Sequence, residues 1–128
     1  MHYVTDTHSL VWYFTDDARL STKALKAFEQ TIQEGLVTVP AVVLAEIIFI
    51  AKKGRVSLSF EQTIERIESF ENFDIAPLDI DILKLADKIE VDMEMHDKLI
   101  VATALNLKAS LITRDKRMRE VGIVSTVW

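Results

Sequence analysis

Hydrophobic positions along the chain fall into two kinds of segment, short apolar runs and longer stretches with helical spacing. The short runs have the composition of buried strands and lie at residues 2–5, 36–39, 73–75, 110–113 and 123–127. Between most of them, apolar residues recur three and four positions apart, which is typical of amphipathic helices. Strands that alternate with helices long enough to cross over favour a parallel sheet covered on both faces. The pattern therefore predicts an α/β fold.

Capping residues indicate where several helices begin and end. Ser21 is a good N-cap, and Leu25, Phe28 and Ile32 after it are expected to form one buried helix face. Gly35 is expected to end that helix, because glycine is common just past a helix C-terminus. Further N-cap signals lie at Ser59, with Gln62 as its capping-box partner, and at Asp79.

The segment from Ala41 to Lys53 is apolar on every face except at Glu46. Pro40 suits the first position of a helix, where its missing N–H costs nothing, and Gly54 closes the segment. A buried, unpaired carboxylate costs several kcal/mol, so Glu46 needs a metal ion, a basic residue or water at a cleft. A helix on a sheet buries only a stripe of its surface. We therefore expect an exposed apolar patch that marks a partner surface, drawn from Ile47, Ile48, Phe49 and Ile50.

Composition narrows the class of protein. At 128 residues, with 49% apolar and 27% charged residues, the chain is predicted to be one globular domain over residues 1–128. It contains no cysteine, which excludes disulfides and thiolate catalysis. No secretory signal or membrane span is recognisable, so we expect a cytoplasmic protein. A net charge of −5 argues against nucleic-acid binding by bulk charge, but not against a local basic patch.

Acidic residues stand at several strand–helix junctions. Asp6 directly follows the first strand and Asp115 follows the fourth, while Asp97 falls in the first turn of an apolar helix. Taken singly, Asp97 could be a helix-dipole residue and Asp115 a turn former. Together with Glu46 they would meet at the carboxyl edge of the sheet and repel one another unless a cation held them. Oxygen ligands of this kind suit Mg²⁺ or Mn²⁺, which can activate water to attack a phosphodiester.

Other catalytic signatures are missing from the sequence. It contains no glycine-rich phosphate loop, no Gly-x-Ser-x-Gly and no histidine pair with metal-ligand spacing. His2, His8 and His96 are scattered, and we interpret all three as bystanders, although His8 and His96 neighbour candidate site residues.

Four segments in order resemble the conserved blocks of PIN domains of the VapC toxin type. They are VTDTHSLVWYF, AEIIFIAKKGRVSL, HDKLIVATAL and LITRDKRM, and the similarity runs over essentially all 128 residues. The resemblance implies a five-stranded parallel sheet in the order 3-2-1-4-5 and a Mg²⁺- or Mn²⁺-dependent ribonuclease. It also implies a cognate antitoxin, bound across the groove near Glu46, and a second copy of the chain as partners.

The resemblance assigns an acidic quartet to Asp6, Glu46, Asp97 and Asp115, with Thr113 as a supporting hydroxyl. Asp6 and Asp97 would be direct metal ligands, and Asp115 would bind directly or through water. Glu46 would complete the metal shell or orient the attacking water. Two departures are that Pro40-Ala41 replaces the serine that often caps the Glu46 helix, and that Asp92 and Glu94 add acids near Asp97.

RNA is expected to enter over a basic rim that contacts phosphates. The candidate residues are Lys52, Lys53, Arg55, Arg114, Lys116, Arg117 and Arg119. One alternative is a receiver-like signalling domain, although a single Asp6 stands where that class has an acidic pair. The other is a nuclease-inactive PIN-like module that only binds proteins, but such a module is expected to have lost at least one of the four acids.

Overall fold

Strands and helices alternate along the chain in the computed structural model, which describes residues 1–128. The strands are β1 (His2–Thr5), β2 (Leu36–Pro40), β3 (Phe73–Ala76), β4 (Ser110–Ile112) and β5 (Thr126–Val127). The helices are α1 (Thr7–Phe14), α2 (Thr22–Gln30), α3 (Ala41–Lys52), α4 (Phe60–Ser69), α5 (Ile80–Asp87), α6 (Met95–Leu107) and α7 (Lys116–Val121). No helix combines the length and the apolar character that crossing a membrane requires.

All strand pairs are parallel, and the five strands lie in the order β3-β2-β1-β4-β5. In the central strand β1, Val4 pairs with Thr38 on one side and with Leu111 on the other. Successive residues of a strand face opposite sides of the sheet, and Val37, Thr38 and Val39 are all buried. Both faces of the sheet are therefore covered, as predicted from the continuous apolar runs.

Several capping predictions are confirmed in atomic detail. Ser59 and Gln62 form a full capping box at the start of α4, and the carboxylate of Asp79 accepts from the backbone N–H of Ile82. Pro40 belongs to β2 and is the N-cap of α3 rather than its first residue, and α3 has no side-chain cap. The absent cap agrees with the departure that the sequence shows at Pro40.

The segment after α2 differs from the prediction. The helix ends at Gln30, so Ile32 leaves the helical spacing and is 54% exposed. Gly35 does not end the helix but leads into β2 with φ of 151°. A Cβ atom at this position would lie 2.4 Å from the carbonyl oxygen of Met1. Gly35 therefore serves the close approach of β2 to the first residue, not a helix end.

The four apolar residues after Glu46 in α3 differ in their exposure. Ile47 and Ile50 are buried in the core, while Ile48 is 37% and Phe49 is 54% exposed. The expected patch on α3 is thus confined to Ile48 and Phe49.

β5 is also shorter than predicted, because only residues 126 and 127 pair with β4.

Candidate active site

The four candidate acids line one cleft of about 580 Å³ at the carboxyl edge of the sheet. Asp6 follows β1 directly, and Asp115 comes three residues after the end of β4. Glu46 projects from α3, which follows β2, and Asp97 lies in the first turn of α6. Parallel strands bring their carboxyl ends together, so residues distant in sequence meet at this edge. The structure therefore places the four acids together in one cleft.

Asp6 is held by two hydrogen bonds at the junction of β1 and α1. One carboxylate oxygen accepts from the backbone N–H of Ser9 at 2.9 Å and so caps α1. The other accepts from the hydroxyl of Thr113 at 2.5 Å. Burial raises the pKa of Asp6, while the hydrogen bonds from Ser9 and Thr113 act in the opposite direction. This carboxylate is therefore fixed in place but is costly to ionise without a nearby positive charge.

The buried Thr113 side chain connects Asp6 with Asp115. Its hydroxyl donates to Asp6 and accepts from the backbone N–H of Asp115 at 3.0 Å. One Asp115 carboxylate oxygen in turn accepts from the backbone N–H of Met118 at 3.0 Å and caps α7. The supporting role expected for Thr113 thus has a physical basis, because this hydroxyl fixes the orientation of two acidic segments.

The interpretation of His96 as a bystander is wrong. Its Nε2 atom lies 3.2 Å from a carboxylate oxygen of Glu46 and 3.2 Å from one of Asp97. Its Nδ1 atom lies 3.2 Å from a carboxylate oxygen of Glu94. The imidazole therefore bridges acids from α3 and α6. Its position beside Asp97 was the only sequence signal, because the approach of α3 depends on the tertiary fold.

Glu46 has the partners that a largely apolar helix requires. One of its oxygens accepts from the hydroxyl of Thr7, and the other faces His96 at 3.2 Å. Thr7 is the first residue of α1, directly after Asp6. Glu46 is thus tied to Asp97 through His96 and, through Thr7, to the helix that Asp6 caps.

Electrostatics in the cleft favour binding of a cation. The pKa of Asp97 is raised to about 6, mainly by burial and further by the negative charges of Asp115, Glu46 and Glu94, against the opposing effect of His96. Several carboxylates at close quarters disfavour one another's ionised form. Ligand atoms of Glu94, His96 and Asp97 lie within 4.8 Å of one another. The donor set, rich in carboxylate oxygen, fits a hard divalent cation.

Some of the additional acids and predicted basic residues line the cleft, and others lie outside it. Glu94 lines the cleft, whereas Asp92 does not. Of the predicted basic residues, Arg114 lines the acidic cleft and Arg55 lines the adjoining groove. Lys116 lies 3.7 Å from Glu120. The structure describes the other predicted basic residues as exposed side chains outside the cleft: Lys52, Lys53, Arg117 and Arg119.

Comparisons with known proteins match this geometry. The family model for the PIN domain matches residues 3–124. VapBC2 from Rickettsia felis, solved with a promoter DNA fragment, aligns with a TM-score of 0.72 at 16% identity, covering 98% of this chain and 97% of that one. A toxin–antitoxin complex from Klebsiella pneumoniae aligns with a TM-score of 0.69 at 23% identity, covering 97% and 96%.

A third similar structure is VapC20 from Mycobacterium tuberculosis, described as a Sarcin-Ricin loop cleaving toxin. It has a TM-score of 0.67 at 14% identity and covers 97% of both chains. No curated protein sequence matches the chain. At these identities the solved structures show a shared fold, while the family model spans nearly the whole sequence. The chain therefore belongs to the PIN domain family.

Proposed function

We propose that this protein is a Mg²⁺- or Mn²⁺-dependent endoribonuclease and the toxin of a toxin–antitoxin pair. The observation that carries the proposal is the convergence of Asp6, Glu46, Asp97 and Asp115 in one cleft. The similar solved structures include toxin–antitoxin complexes and a Sarcin-Ricin loop cleaving toxin. Because the proposed substrate is RNA, we place the action of the protein in the cytoplasm.

Asp6 and Asp97 are the proposed direct metal ligands, with Asp115 binding directly or through water. A divalent cation at such a site lowers the pKa of bound water and stabilises negative charge on a phosphoryl oxygen. The hydrogen bonds from Ser9 and Thr113 orient Asp6 in advance. An ionised carboxylate has about four lone-pair sites, so Asp6 keeps acceptor capacity for a ligand.

Glu46 and His96 are proposed to orient and activate the attacking water on the α3 side of the cleft. One Glu46 oxygen is occupied by Thr7, while the other faces the imidazole of His96. A carboxylate held in this way can accept a proton or orient a water molecule for in-line attack. His96 also faces Asp97 at 3.2 Å, so we propose that it positions both carboxylates relative to each other.

Arg114 is the proposed contact for the phosphate that is cleaved. It is exposed, lines the acidic cleft and forms no ion pair in the structure. Its guanidinium lies 5.7 Å from the ring of Trp12, which limits where its donors can point. A guanidinium beside four acids can hold an RNA phosphate that the acids alone would repel. Arg55 and Lys116 remain candidates for contacts further along the RNA.

Partners are proposed from the exposed surface next to the cleft. Ile48 and Phe49 are exposed on α3, close in sequence to Glu46. Exposed apolar side chains in a group mark binding surfaces. We propose that an antitoxin segment crosses the groove near Glu46 and excludes RNA, and that a second copy of the chain forms a homodimer.

RNA cleavage by purified protein tests this proposal. Wild-type protein should cleave RNA with Mg²⁺ or Mn²⁺ and lose cleavage in EDTA. Asp6→Asn and Asp97→Asn should each lower the rate at least about 100-fold, because loss even of a residue that only supports a metal ligand costs 10- to 100-fold. Asp92→Asn is the matched control, since Asp92 is exposed and lies outside the cleft.

The alternative functions give other results in the same assay. A module that acts only by binding proteins would show no metal-dependent cleavage by correctly folded wild-type protein. Equal rates for wild type, Asp6→Asn and Asp97→Asn at equal protein concentration would overturn the site assignment. Circular dichroism of each variant shows whether a lost rate reflects lost fold.

A further inference from the structure

A second depression of about 610 Å³ adjoins the acidic cleft between α1 and α3, and we call it the α1–α3 groove. Five residues line both the groove and the cleft: His8, Trp12, Glu46, Glu94 and His96. The groove is otherwise bordered by Arg19 and Arg55 and by apolar side chains, among them the exposed Phe49. The groove thus combines cations and an apolar wall with two carboxylates, Glu46 and Glu94, on the side shared with the proposed cleavage site.

Arg19 presents a fixed planar surface in this groove. Its Nε and Nη2 atoms donate to the two carboxylate oxygens of Asp17 at 3.0 and 2.8 Å. Its guanidinium carbon also lies 5.1 Å from the ring of Trp12, and the side chain is 63% exposed. The hydrogen bonds from Arg19 lower the pKa of Asp17 to about 2. Since Asp17 balances its charge, Arg19 offers a pre-oriented flat face more than a free charge.

Trp12 acts as the support for this surface. It is only 7% exposed, and its ring lies 5.6 Å from His8 and 5.9 Å from Trp128. His8 is exposed and belongs to both depressions. Three planar groups, the His8 imidazole and the guanidinium groups of Arg19 and Arg114, therefore lie around one indole at the entrance to the acidic cleft.

We infer that the α1–α3 groove binds one nucleobase of the RNA, stacked on the Arg19 guanidinium, next to the phosphate in the acidic cleft. Unpaired RNA bases stack on aromatic rings and on guanidinium planes. Arg55 is exposed, lines the same groove and forms no ion pair, so a phosphate has a complementary charge there. The inference rests on the proposed ribonuclease function and adds a subsite that selects unpaired bases.

A double-mutant cycle between protein and RNA tests this subsite. The probe is a fluorescein-labelled RNA of seven adenosines and seven versions of it, each with one abasic ribose. Binding is measured by fluorescence anisotropy in the inactive Asp97→Asn background, with and without Arg19→Lys, which keeps the charge and removes the plane. Arg66→Lys is the matched control, because Arg66 also lies over an aromatic ring, 5.6 Å from Phe14, but outside the groove.

Arg19→Lys should weaken binding of the intact RNA about 5- to 20-fold, in the lower range known for base stacking. An abasic ribose at one position should remove most of that difference, while Arg66→Lys should change nothing. Equal binding by Arg19→Lys, or a loss that is the same for all eight RNAs, would overturn the inference. If wild-type protein cleaves RNA but no coupling is found, only the subsite falls. If it neither binds nor cleaves RNA, the proposed function falls with it.

Discussion

The two sides of the acidic cleft are built in different ways. On the β1 side, Asp6 is fixed by the N-terminus of α1 and by the buried Thr113 hydroxyl. On the α6 side, the N-cap residue Glu94 makes no side-chain capping bond, and Asp97 is held by its neighbour His96 at 3.2 Å. On the β1 side, a candidate site residue also caps a helix and binds a buried hydroxyl. On the α6 side, several charged groups lie close together. Substitutions on the two sides should therefore affect stability in opposite directions.

Removal of the Thr113 hydroxyl should have the largest effect on stability. Thr113→Val leaves an oxygen of the half-buried Asp6 and the backbone N–H of Asp115 without this partner. An unsatisfied buried polar group costs about 1–3 kcal/mol, so the free energy of unfolding should fall by that order. Thr103→Val is the control, because Thr103 is equally buried but its hydroxyl donates only to the Leu99 carbonyl within α6.

Urea unfolding of the two variants makes the comparison quantitative. If Thr113→Val lost no more stability than Thr103→Val, the β1 side would not be held together in the way described. Cleavage should also slow in Thr113→Val, because Asp6 and Asp115 lose a shared anchor.

On the α6 side, substitution of the acid should raise stability rather than lower it. The folded-state pKa of Asp97 is about 6, against an ordinary value of 3.8. The folded protein therefore holds this proton more tightly than the unfolded chain, and the ionised form opposes folding. In metal-free buffer, stability should rise as pH falls from 7 through 6 toward 4. Asp97→Asn should be more stable than wild type at pH 7, by on the order of 1–3 kcal/mol.

The difference between Asp97→Asn and wild type should shrink as the pH falls and vanish below pH 3.8, where the carboxyl is neutral in both the folded and the unfolded wild-type chain. Thermal unfolding in EDTA across this pH range measures it. Asp92→Asn again serves as control and should follow the wild-type curve in its shape. A lower stability of Asp97→Asn at pH 7 would show that this side of the cleft is structural after all.

The smallest effect concerns the cations at the rim. Arg114 is free of ion pairs and lines the cleft, whereas Lys116 lies 3.7 Å from Glu120 and is outside it. Arg114→Gln should weaken RNA binding and reduce the slope of log affinity against log salt by about 0.7, the loss of one phosphate contact on a single strand. Lys116→Gln should change the slope less. Anisotropy titrations at several salt concentrations compare the two, and equal slopes would remove the distinction between them.

Much of the fold was predictable from the sequence for a definite physical reason. Central parallel strands are covered on both faces, so they appear as continuous apolar runs such as the buried residues 37–39. Asp6 and Asp115 were recognisable because each follows such a run. The order of the strands came from the resemblance to a family, and the structure shows that order. The four acids were candidates from the residues themselves, and the structure places them in one cleft.

The remaining features depend on contacts between helices. His96 meets Glu46 only because α3 and α6 lie together at the cleft, and no spacing in the sequence shows this approach. The placement of Arg19 on Trp12 likewise depends on how the loop after α1 folds back. The exposure of Ile32 followed from an earlier helix end at Gln30 than the periodicity indicated. For His96 and Arg19, the tertiary arrangement decides the contact and no local pattern shows it.

Metal binding is the most direct test of the account, because Asp6, Asp97 and Asp115 are proposed to share one cation site. Mn²⁺ should raise the melting temperature of wild-type protein in proportion to the logarithm of its concentration above the dissociation constant. Asp6→Asn and Asp97→Asn should lose most of this stabilisation, and Asp92→Asn should keep it. Wild-type protein that gains no stability from Mn²⁺ or Mg²⁺, or equal gains in all four proteins, would contradict the central claim.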